Sequence, residues 1–216
     1  EAFADPSVDI ILCSRGGYGL QQIIDQVVLP TRPTSEWPLV VGFSDITALH
    51  ALMSLHGVPS LHASMCKAIA TLPDDAPTLI LLREALEGKA CESVFCERKI
   101  IGGNLSVLYG LQGTPYSLNA IIDNCVEPPV LLIEDICERH YHIDRMMNNL
   151  RLSGVLSRLS GVIVGQFTDC DDDPKMGCTL RETLQYYLDQ YDYPVVWDAP
   201  YGHEDDNRPI MFSLNV

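Results

Sequence analysis

The sequence predicts an α/β protein made of two domains with mostly parallel sheets. Short apolar runs typical of buried strands alternate along the 216 residues with segments whose apolar residues recur at helical spacing. Glycine and proline residues, which favour turns, lie at the ends of these segments. Because consecutive strands separated by helices pair in parallel, the alternation predicts the fold class.

The first half of the sequence predicts two pairs of a strand and a helix. Residues 8–13 form an almost wholly apolar run, as expected of a strand buried on both faces. A predicted helix begins near Leu20 and ends at Pro30. The second pair is a strand over residues 39–43 and a helix that stops at Gly57.

A polar segment separates the two predicted domains. After a short predicted helix over residues 78–86, the segment 87–98 is polar and interrupts the pattern. We therefore predict an amino-terminal domain over residues 1–90 and a carboxy-terminal domain over residues 91–216.

The second half continues the alternation of helices and strands. We predict a helix that begins near the Gly102-Gly103-Asn104 segment, strands over 130–133, 162–167, 194–197 and 210–214, and helices over 144–156 and 179–188.

Charge and cysteine placement narrow the functional classes. With 29 acidic against 14 basic residues and a net charge of -15, we expect neither nucleic acid nor an anionic membrane as a partner. The sequence has no apolar stretch long enough to span a membrane.

The eight cysteines of the sequence form no CxxC pair, and several lie in apolar runs. This usage favours reduced thiols and a cytoplasmic location.

Ser44 stands at a predicted junction between a strand and a helix. Hydrolase nucleophiles occupy such junctions because a sharp turn exposes the hydroxyl and aims backbone N–H groups at the developing oxyanion. A serine there is also an ordinary helix N-cap. The segment 42–46 does not match Gly-x-Ser-x-Gly, which disfavours an ordinary α/β-hydrolase. Position alone leaves the nucleophile and N-cap interpretations open.

The glycine-rich segment after the first strand has a similar ambiguity. Residues 15–19 (RGGYG) fail the GxGxxG dinucleotide pattern, and no P-loop follows. We therefore expect no cofactor there. The segment is either a plain turn or a loop whose bare backbone N–H groups approach a substrate carbonyl.

Three polar residues follow predicted strands at distant points of the chain. Ser44, Glu134 and His203 each lie just past such a strand. Since the loops at the carboxyl ends of parallel strands converge on one crevice, the three side chains are predicted to meet. A serine, a histidine and a carboxylate that meet are the components of a hydrolase.

The remaining histidines favour other roles. His50, His56 and His62 are expected to pack in the interior or lie at the surface. His140 and His142 lie close to Glu138, which raises the alternative of a metal, but no HExxH or tight Cys/His cluster supports one. We predict no metal site.

Seven segments, taken in order, resemble the motifs of the LD-carboxypeptidases, the S66 family of serine peptidases. They are SRGGYG (14–19), VGFSDITALH (41–50), GGNL (102–105), LIEDICE (132–138), YHIDRM (141–146), GVIVGQF (161–167) and GH (202–203). The family includes murein tetrapeptide carboxypeptidases and microcin C immunity peptidases.

The resemblance implies a dimeric cytoplasmic enzyme with a Rossmann-like amino-terminal part and a smaller carboxy-terminal catalytic domain. It also implies a Ser-His-Glu triad that works without metal or cofactor. Ser44 matches the nucleophile, His203 the general base, and Glu134 the carboxylate that orients the imidazole. The backbone N–H groups of Gly17 and Asp45 match the oxyanion hole.

The implied substrate is a murein-derived peptide. Family members hydrolyse the bond between an L-configured centre and a terminal D-Ala. Recognition of the free terminal carboxylate suits arginine, which can donate two parallel hydrogen bonds. Arg15 and Arg145 are the two candidates.

Two other functions compete with this one. The same fold serves self-immunity peptidases that cleave a microcin C-like peptide-nucleotide. An inactive fragment or ligand-binding module is the third hypothesis, because family members carry a further strand and helix before the position of Glu1.

Overall fold

The computed structural model describes residues 1–89, 95 and 98–212. Within these ranges the strands are β1 (Ile10–Leu12), β2 (Leu39–Gly42), β3 (Ser60–His62), β4 (Ile100–Asn104), β5 (Val130–Ile136), β6 (Gly161–Thr168), β7 (Val195–Val196) and β8 (Ile210–Phe212). The α-helices are α1 (Thr47–Leu55), α2 (Cys66–Thr71), α3 (Pro77–Leu86), α4 (Leu105–Gly110), α5 (Leu118–Asp123), α6 (His140–Leu152) and α7 (Leu180–Leu188).

The strands form two four-stranded sheets. The first has the order β1-β2-β3-β8, in which β1, β2 and β3 are parallel and β8 is antiparallel to β3. The second has the order β4-β5-β6-β7 and is parallel throughout. The predicted fold class, α/β with mostly parallel sheets, is confirmed.

Helix α1 links the two sheets. It contacts β2 and β3 of the first sheet and β4 of the second. All of its residues except Leu55 are buried. At its first residue, the Thr47 hydroxyl accepts a hydrogen bond from the backbone N–H of Asn104, at the end of β4 (2.9 Å). The carboxyl ends of β2 and β4 are thereby held against each other.

The predicted helix between Leu20 and Pro30 is wrong. Two short 3-10 turns, Leu20–Gln22 and Ile24–Gln26, occupy this segment. Its apolar residues have helical spacing, but most are β-branched, which lowers helix propensity. Ile23 and Val28 are also exposed, so burial does not compensate for that loss.

The last strand belongs to the other sheet. The prediction placed a strand over residues 210–214 in the second half; its described part, β8, pairs with β3 instead. Phe212 is fully buried there, with its ring centre 5.1 Å from that of His50 and 5.7 Å from that of His62. The proposed division of the chain at residue 90 is therefore crossed by one returning strand.

Other elements differ in extent. The prediction missed β3, β4, α2 and α5, and α6 begins at His140 rather than at residue 144. Gly102 and Gly103 lie in β4, so the predicted helix there begins only at Leu105. The polar segment 87–98 lies largely outside the described residues. Across the ranges that the structure describes, no helix combines the length and apolar character needed to cross a membrane.

Gly102 is required for β4 to pair with β5. Its φ is +128°, and a Cβ at this position would collide with the carbonyl oxygen of Leu132. We expect Gly102→Ala to destabilise the protein by about 4 kcal/mol or more, because both backbone strain and a backbone collision result. Urea denaturation followed by circular dichroism measures this loss.

Gly113→Ala is the matched control. Gly113 also has a positive φ, of +77°, but a Cβ there meets open space. Its substitution should cost only about 1–2 kcal/mol, from the left-handed backbone alone. Equal losses in the two variants would contradict the steric explanation.

Candidate active site

Ser44 lies two residues after the end of β2 and has a left-handed backbone, with φ of +65°. It opens a short 3-10 turn, Ser44–Ile46, that leads into α1. The N-cap positions of this turn and of α1 are Phe43 and Ile46, so Ser44 occupies neither. The hydroxyl is therefore not used as an N-cap.

The glycine-rich loop reaches the Ser44 side chain closely. A Cβ at Gly16 would lie 2.9 Å from Ser44 Cβ and 3.1 Å from its Oγ, so glycine permits this approach. The loop is also tied to the serine turn, because the Asp45 carboxylate accepts a hydrogen bond from the backbone N–H of Leu20 (3.1 Å). Gly17, with φ of +131°, lies between these two contacts.

His203 and Glu134 are joined by a hydrogen bond. The Nδ1 atom of His203 lies 2.9 Å from Oε2 of Glu134, and the imidazole is only 12% exposed. A proton on Nδ1 donated to the carboxylate leaves Nε2 as the acceptor of the neutral ring. The ring of Phe43 packs beside the imidazole, with 4.8 Å between ring centres.

The Glu134 carboxyl group is wholly buried in β5. Burial raises its pKa, and the hydrogen bond and charge of His203 act in the opposite direction. Its second oxygen, Oε1, is buried without a hydrogen-bond partner in the described part of the chain. Glu134 therefore depends mainly on His203 for the stabilisation of its charge, with a smaller contribution from the Asn104 side chain.

Ser44 and His203 line one cavity of about 510 Å³. Its walls come from the loop that contains Arg15 and Gly17, from α2 with the residues before it, and from the segment that carries His203. No hydrogen bond joins the Ser44 hydroxyl to the imidazole within the described residues. Such contacts are often long in unliganded enzymes and shorten when substrate binds.

A second cavity of about 310 Å³ adjoins the first. Both are lined by Gly17 and Ser44, and Asp45 lines only the second. Of the two residues matched to the oxyanion hole, Gly17 therefore borders both cavities and Asp45 borders only the second.

The two candidate arginines are placed differently. Arg15 lines the larger cavity, and its Nε donates to the carbonyl oxygen of Gly16. Arg145 lies on α6 with its guanidinium 5.6 Å from the ring centre of Tyr141, and it is not among the residues that line this cavity. Lys67, in α2, also lines it. The sequence reasoning missed Lys67 because it did not predict α2.

Asp135 organises the turn beside Glu134. Its carboxylate accepts hydrogen bonds from the Asn104 side-chain amide (2.9 Å), from the backbone N–H and hydroxyl of Ser106, and from the Ile136 N–H. Burial is the main cause that raises the pKa of Asp135 to about 6. These bonds fix the start of α4 against the end of β5.

Two histidines form part of the interior. Burial lowers the pKa of His50 to about 4 and that of His62 well below its ordinary value, so both are neutral. His50 bonds to Ser60 Oγ and to the Gly42 carbonyl oxygen, both at 2.9 Å. His62 lies in β3, a strand that the sequence analysis does not predict.

The two histidines close to Glu138 in the sequence have protein partners. His140 Nε2 lies 2.7 Å from Thr183 Oγ1, and His142 Nδ1 lies 2.8 Å from Glu138 Oε2. Among the described residues, no group of three or more His, Cys, Asp or Glu side chains is arranged to hold a metal ion.

The sequence matches two family models. The LD-carboxypeptidase N-terminal domain matches residues 1–63, and the LD-carboxypeptidase C-terminal domain matches residues 97–216. A Synechocystis protein named as a carboxypeptidase is 32% identical over 209 residues, which are 94% of this chain and 67% of that protein. The murein tetrapeptide carboxypeptidase of Pseudomonas aeruginosa is 27% identical, over 96% of this chain and 71% of its own length.

Solved structures have the same fold. The crystal structure of muramoyltetrapeptide carboxypeptidase from Oxalobacter formigenes superposes with a TM-score of 0.79 and 26% identity, over 97% of this chain and 74% of that one. The microcin C7 self-immunity protein of Escherichia coli is 27% identical over 56% of this chain, but over only 34% of its own length.

The raised pKa of Asp135 predicts a pH-dependent stability difference. Because the folded-state pKa, about 6, exceeds the ordinary value of 3.8, ionisation of Asp135 destabilises the fold. Relative to Asp135→Asn, the wild type should lose up to about 3 kcal/mol of unfolding free energy as the pH rises from 4 to 7. Urea denaturation of both proteins at several pH values measures this difference.

Glu182→Gln provides a control of opposite sign. Hydrogen bonds from Thr179 lower the pKa of Glu182, so its ionisation stabilises the fold. Relative to this variant, the wild type should gain stability as the pH rises. A difference for Asp135→Asn that stays constant with pH would contradict the assigned burial effect.

Proposed function

The chain belongs to the LD-carboxypeptidase family, and from this premise we propose that it is a serine carboxypeptidase of murein peptides. It would hydrolyse the bond between an L-configured centre and the terminal D-Ala of a murein tetrapeptide, a step in peptidoglycan recycling. The observation that carries the proposal is the Glu134–His203 hydrogen bond at the wall of the cavity that Ser44 lines.

In the proposed mechanism Ser44 is the nucleophile. Its Oγ attacks the scissile carbonyl carbon while its proton passes to Nε2 of His203, and Glu134 stabilises the imidazolium that forms. The backbone N–H groups of Gly17 and Asp45 receive the oxyanion. His203 then protonates the leaving amine of the terminal residue, which breaks the peptide bond. A water molecule then attacks the acyl carbon while His203 takes its proton. The ester bond to Ser44 breaks, and His203 returns that proton to the Ser44 Oγ.

Binding of the terminal carboxylate is proposed to use Arg15. Arg15 lines the same cavity as Ser44 and joins no ion pair within the described residues, so its guanidinium is available for bidentate pairing. Lys67 lines the cavity as a second cation and is similarly unpaired in the described part of the chain. A cavity of about 510 Å³ also has room for more of the peptide than one alanine.

We propose that the enzyme acts in the cytoplasm as a homodimer without metal or cofactor. The six cysteines that the structure describes are free thiols, which supports a reducing compartment. The dimer rests on the family resemblance. The domain over residues 1–90 would supply Ser44, and the domain over 91–216 would supply Glu134 and His203.

Mass spectrometry of a murein tetrapeptide incubated with the protein tests this function. We expect loss of one alanine from the peptide that ends in D-Ala, and little action on an all-L tetrapeptide, because the wrong configuration misplaces the reacting atoms. Cleavage of a peptidyl-nucleotide instead would favour the immunity peptidase. Binding without cleavage of either compound would favour a ligand-binding module.

Ser44→Ala should abolish cleavage and leave the fold intact. The hydroxyl supplies the nucleophile but makes no capping bond, so we expect a stability change within about 0.5 kcal/mol. Ser157→Ala, at an exposed serine whose hydroxyl donates to the Gly154 carbonyl oxygen, is the control and should retain full activity. Turnover by Ser44→Ala at the wild-type rate would exclude the serine mechanism.

Glu134 and Glu138 should differ sharply in their effect on kcat. Glu134→Gln removes the buried partner of His203 and should lower kcat by about 10⁴-fold. Glu138 is half-buried and pairs with His142, four residues away, so Glu138→Gln should change kcat little. Steady-state kinetics with the tetrapeptide as substrate measures kcat for both variants and shows which glutamate supports catalysis. The reverse order would assign the third triad position to Glu138.

A further inference from the structure

The segment that carries His203 has no regular secondary structure of its own. Residues 202–207 connect β7 to β8 as an irregular loop, and residues 204–206 are exposed. The hydrogen bond that His203 donates to Glu134 fixes the imidazole, but it does not fix the backbone from which the imidazole extends. The position of that backbone must come from other contacts.

Thr78, from α3, holds the loop from one side. Its hydroxyl donates to the Asp205 carbonyl oxygen (2.7 Å) and accepts from the Asn207 N–H (3.1 Å). Thr78 is only 1% exposed, so water cannot replace these bonds. One side chain thereby fixes two backbone groups that lie just past His203.

Gln166, from β6, holds the same loop from the other side. Its Nε2 donates to the Asp206 carbonyl oxygen (3.0 Å), and its Oε1 accepts from the Glu204 N–H (3.1 Å). A Cβ at Gly202 would lie 2.9 Å from Gln166 Cβ, so the backbone beside His203 passes directly over this side chain.

We propose that Thr78 and Gln166 are positioning residues for His203, an inference that rests on the proposed function. The two side chains bond to successive loop residues, Glu204 to Asn207, in alternation. One comes from the helix that precedes residue 90 and the other from the second sheet. Both parts of the chain therefore hold the loop from which the imidazole extends.

The substitution Thr78→Val tests the inference, because valine preserves the shape but removes both bonds. We expect kcat to fall about 10- to 100-fold with KM nearly unchanged, since a displacement of 1 Å at a catalytic group costs about that much. Thr78→Ser keeps the hydroxyl and should restore most of kcat. Gln166→Leu should lower kcat by a similar factor to Thr78→Val, also with KM nearly unchanged.

Thr183→Val is the matched control. Thr183 is also a buried threonine, and its hydroxyl bonds to the His140 ring, away from the cavity. The loss of this hydroxyl should leave kcat unchanged.

A double variant gives a second test. In a His203→Ala background, Thr78→Val should have no further effect on the residual rate, because no imidazole remains to be positioned. A further loss there equal to that in the wild type would overturn the inference.

Proton NMR separates this inference from the proposed function. The Nδ1 proton that His203 shares with Glu134 should shift or exchange faster in Thr78→Val and remain unchanged in Thr183→Val. An unchanged signal in Thr78→Val overturns the positioning role, whether or not any peptide is cleaved. Failure of the wild type to cleave the tetrapeptide, with the signal shifted as expected, overturns only the proposed function.

Discussion

The hydrogen bond between Glu134 and His203 is the interaction on which the rest of the site depends. A carboxylate with no exposed surface loses its hydration, and the cost is large unless a partner compensates. His203 is the hydrogen-bond partner that the structure gives it. The same bond that relieves the buried charge also fixes the tautomer and orientation of the imidazole. A positive charge on the imidazole would strengthen this hydrogen bond further. A general base has the same requirement, because it becomes positively charged when it accepts a proton.

The cavity that His203 and Ser44 share lies where the two sheets meet. Ser44 follows a strand of the first sheet, Glu134 lies in the second, and His203 lies on the loop that returns the chain to the first. The buried helix α1 begins beside Ser44 and contacts β4 through Thr47. Strand β8 then closes the connection by pairing with β3. The topology therefore brings Ser44 and His203 to the wall of one cavity, with Glu134 buried behind the imidazole.

Sequence patterns predicted the elements with strong local signals. The buried strands β2, β5 and β6 are long apolar runs, and α7 begins with the Thr179–Glu182 capping box. The patterns missed β3, which is three residues long and includes His62. They could not place β8, because its partner strand is some 150 residues away.

For the site, the predicted ends of strands were sufficient to select Ser44 and His203 as candidate residues. Thr78 and Gln166 gave no signal, because their role consists of bonds to a distant backbone.

The failure of the Gly-x-Ser-x-Gly pattern at Ser44 has a local steric explanation. That pattern supplies small residues on both sides of a serine whose backbone is held at positive φ, and Ser44 has this backbone with only the first glycine. In place of the second glycine, Ile46 packs against Gly42, where an added Cβ would lie 2.9 Å from the Ile46 side chain. The close approach to the hydroxyl is made instead by Gly16, from a separate loop. The turn thus has the conformation of a nucleophile elbow. The glycine that leaves space beside the serine hydroxyl is Gly16, which lies 28 residues earlier in the chain.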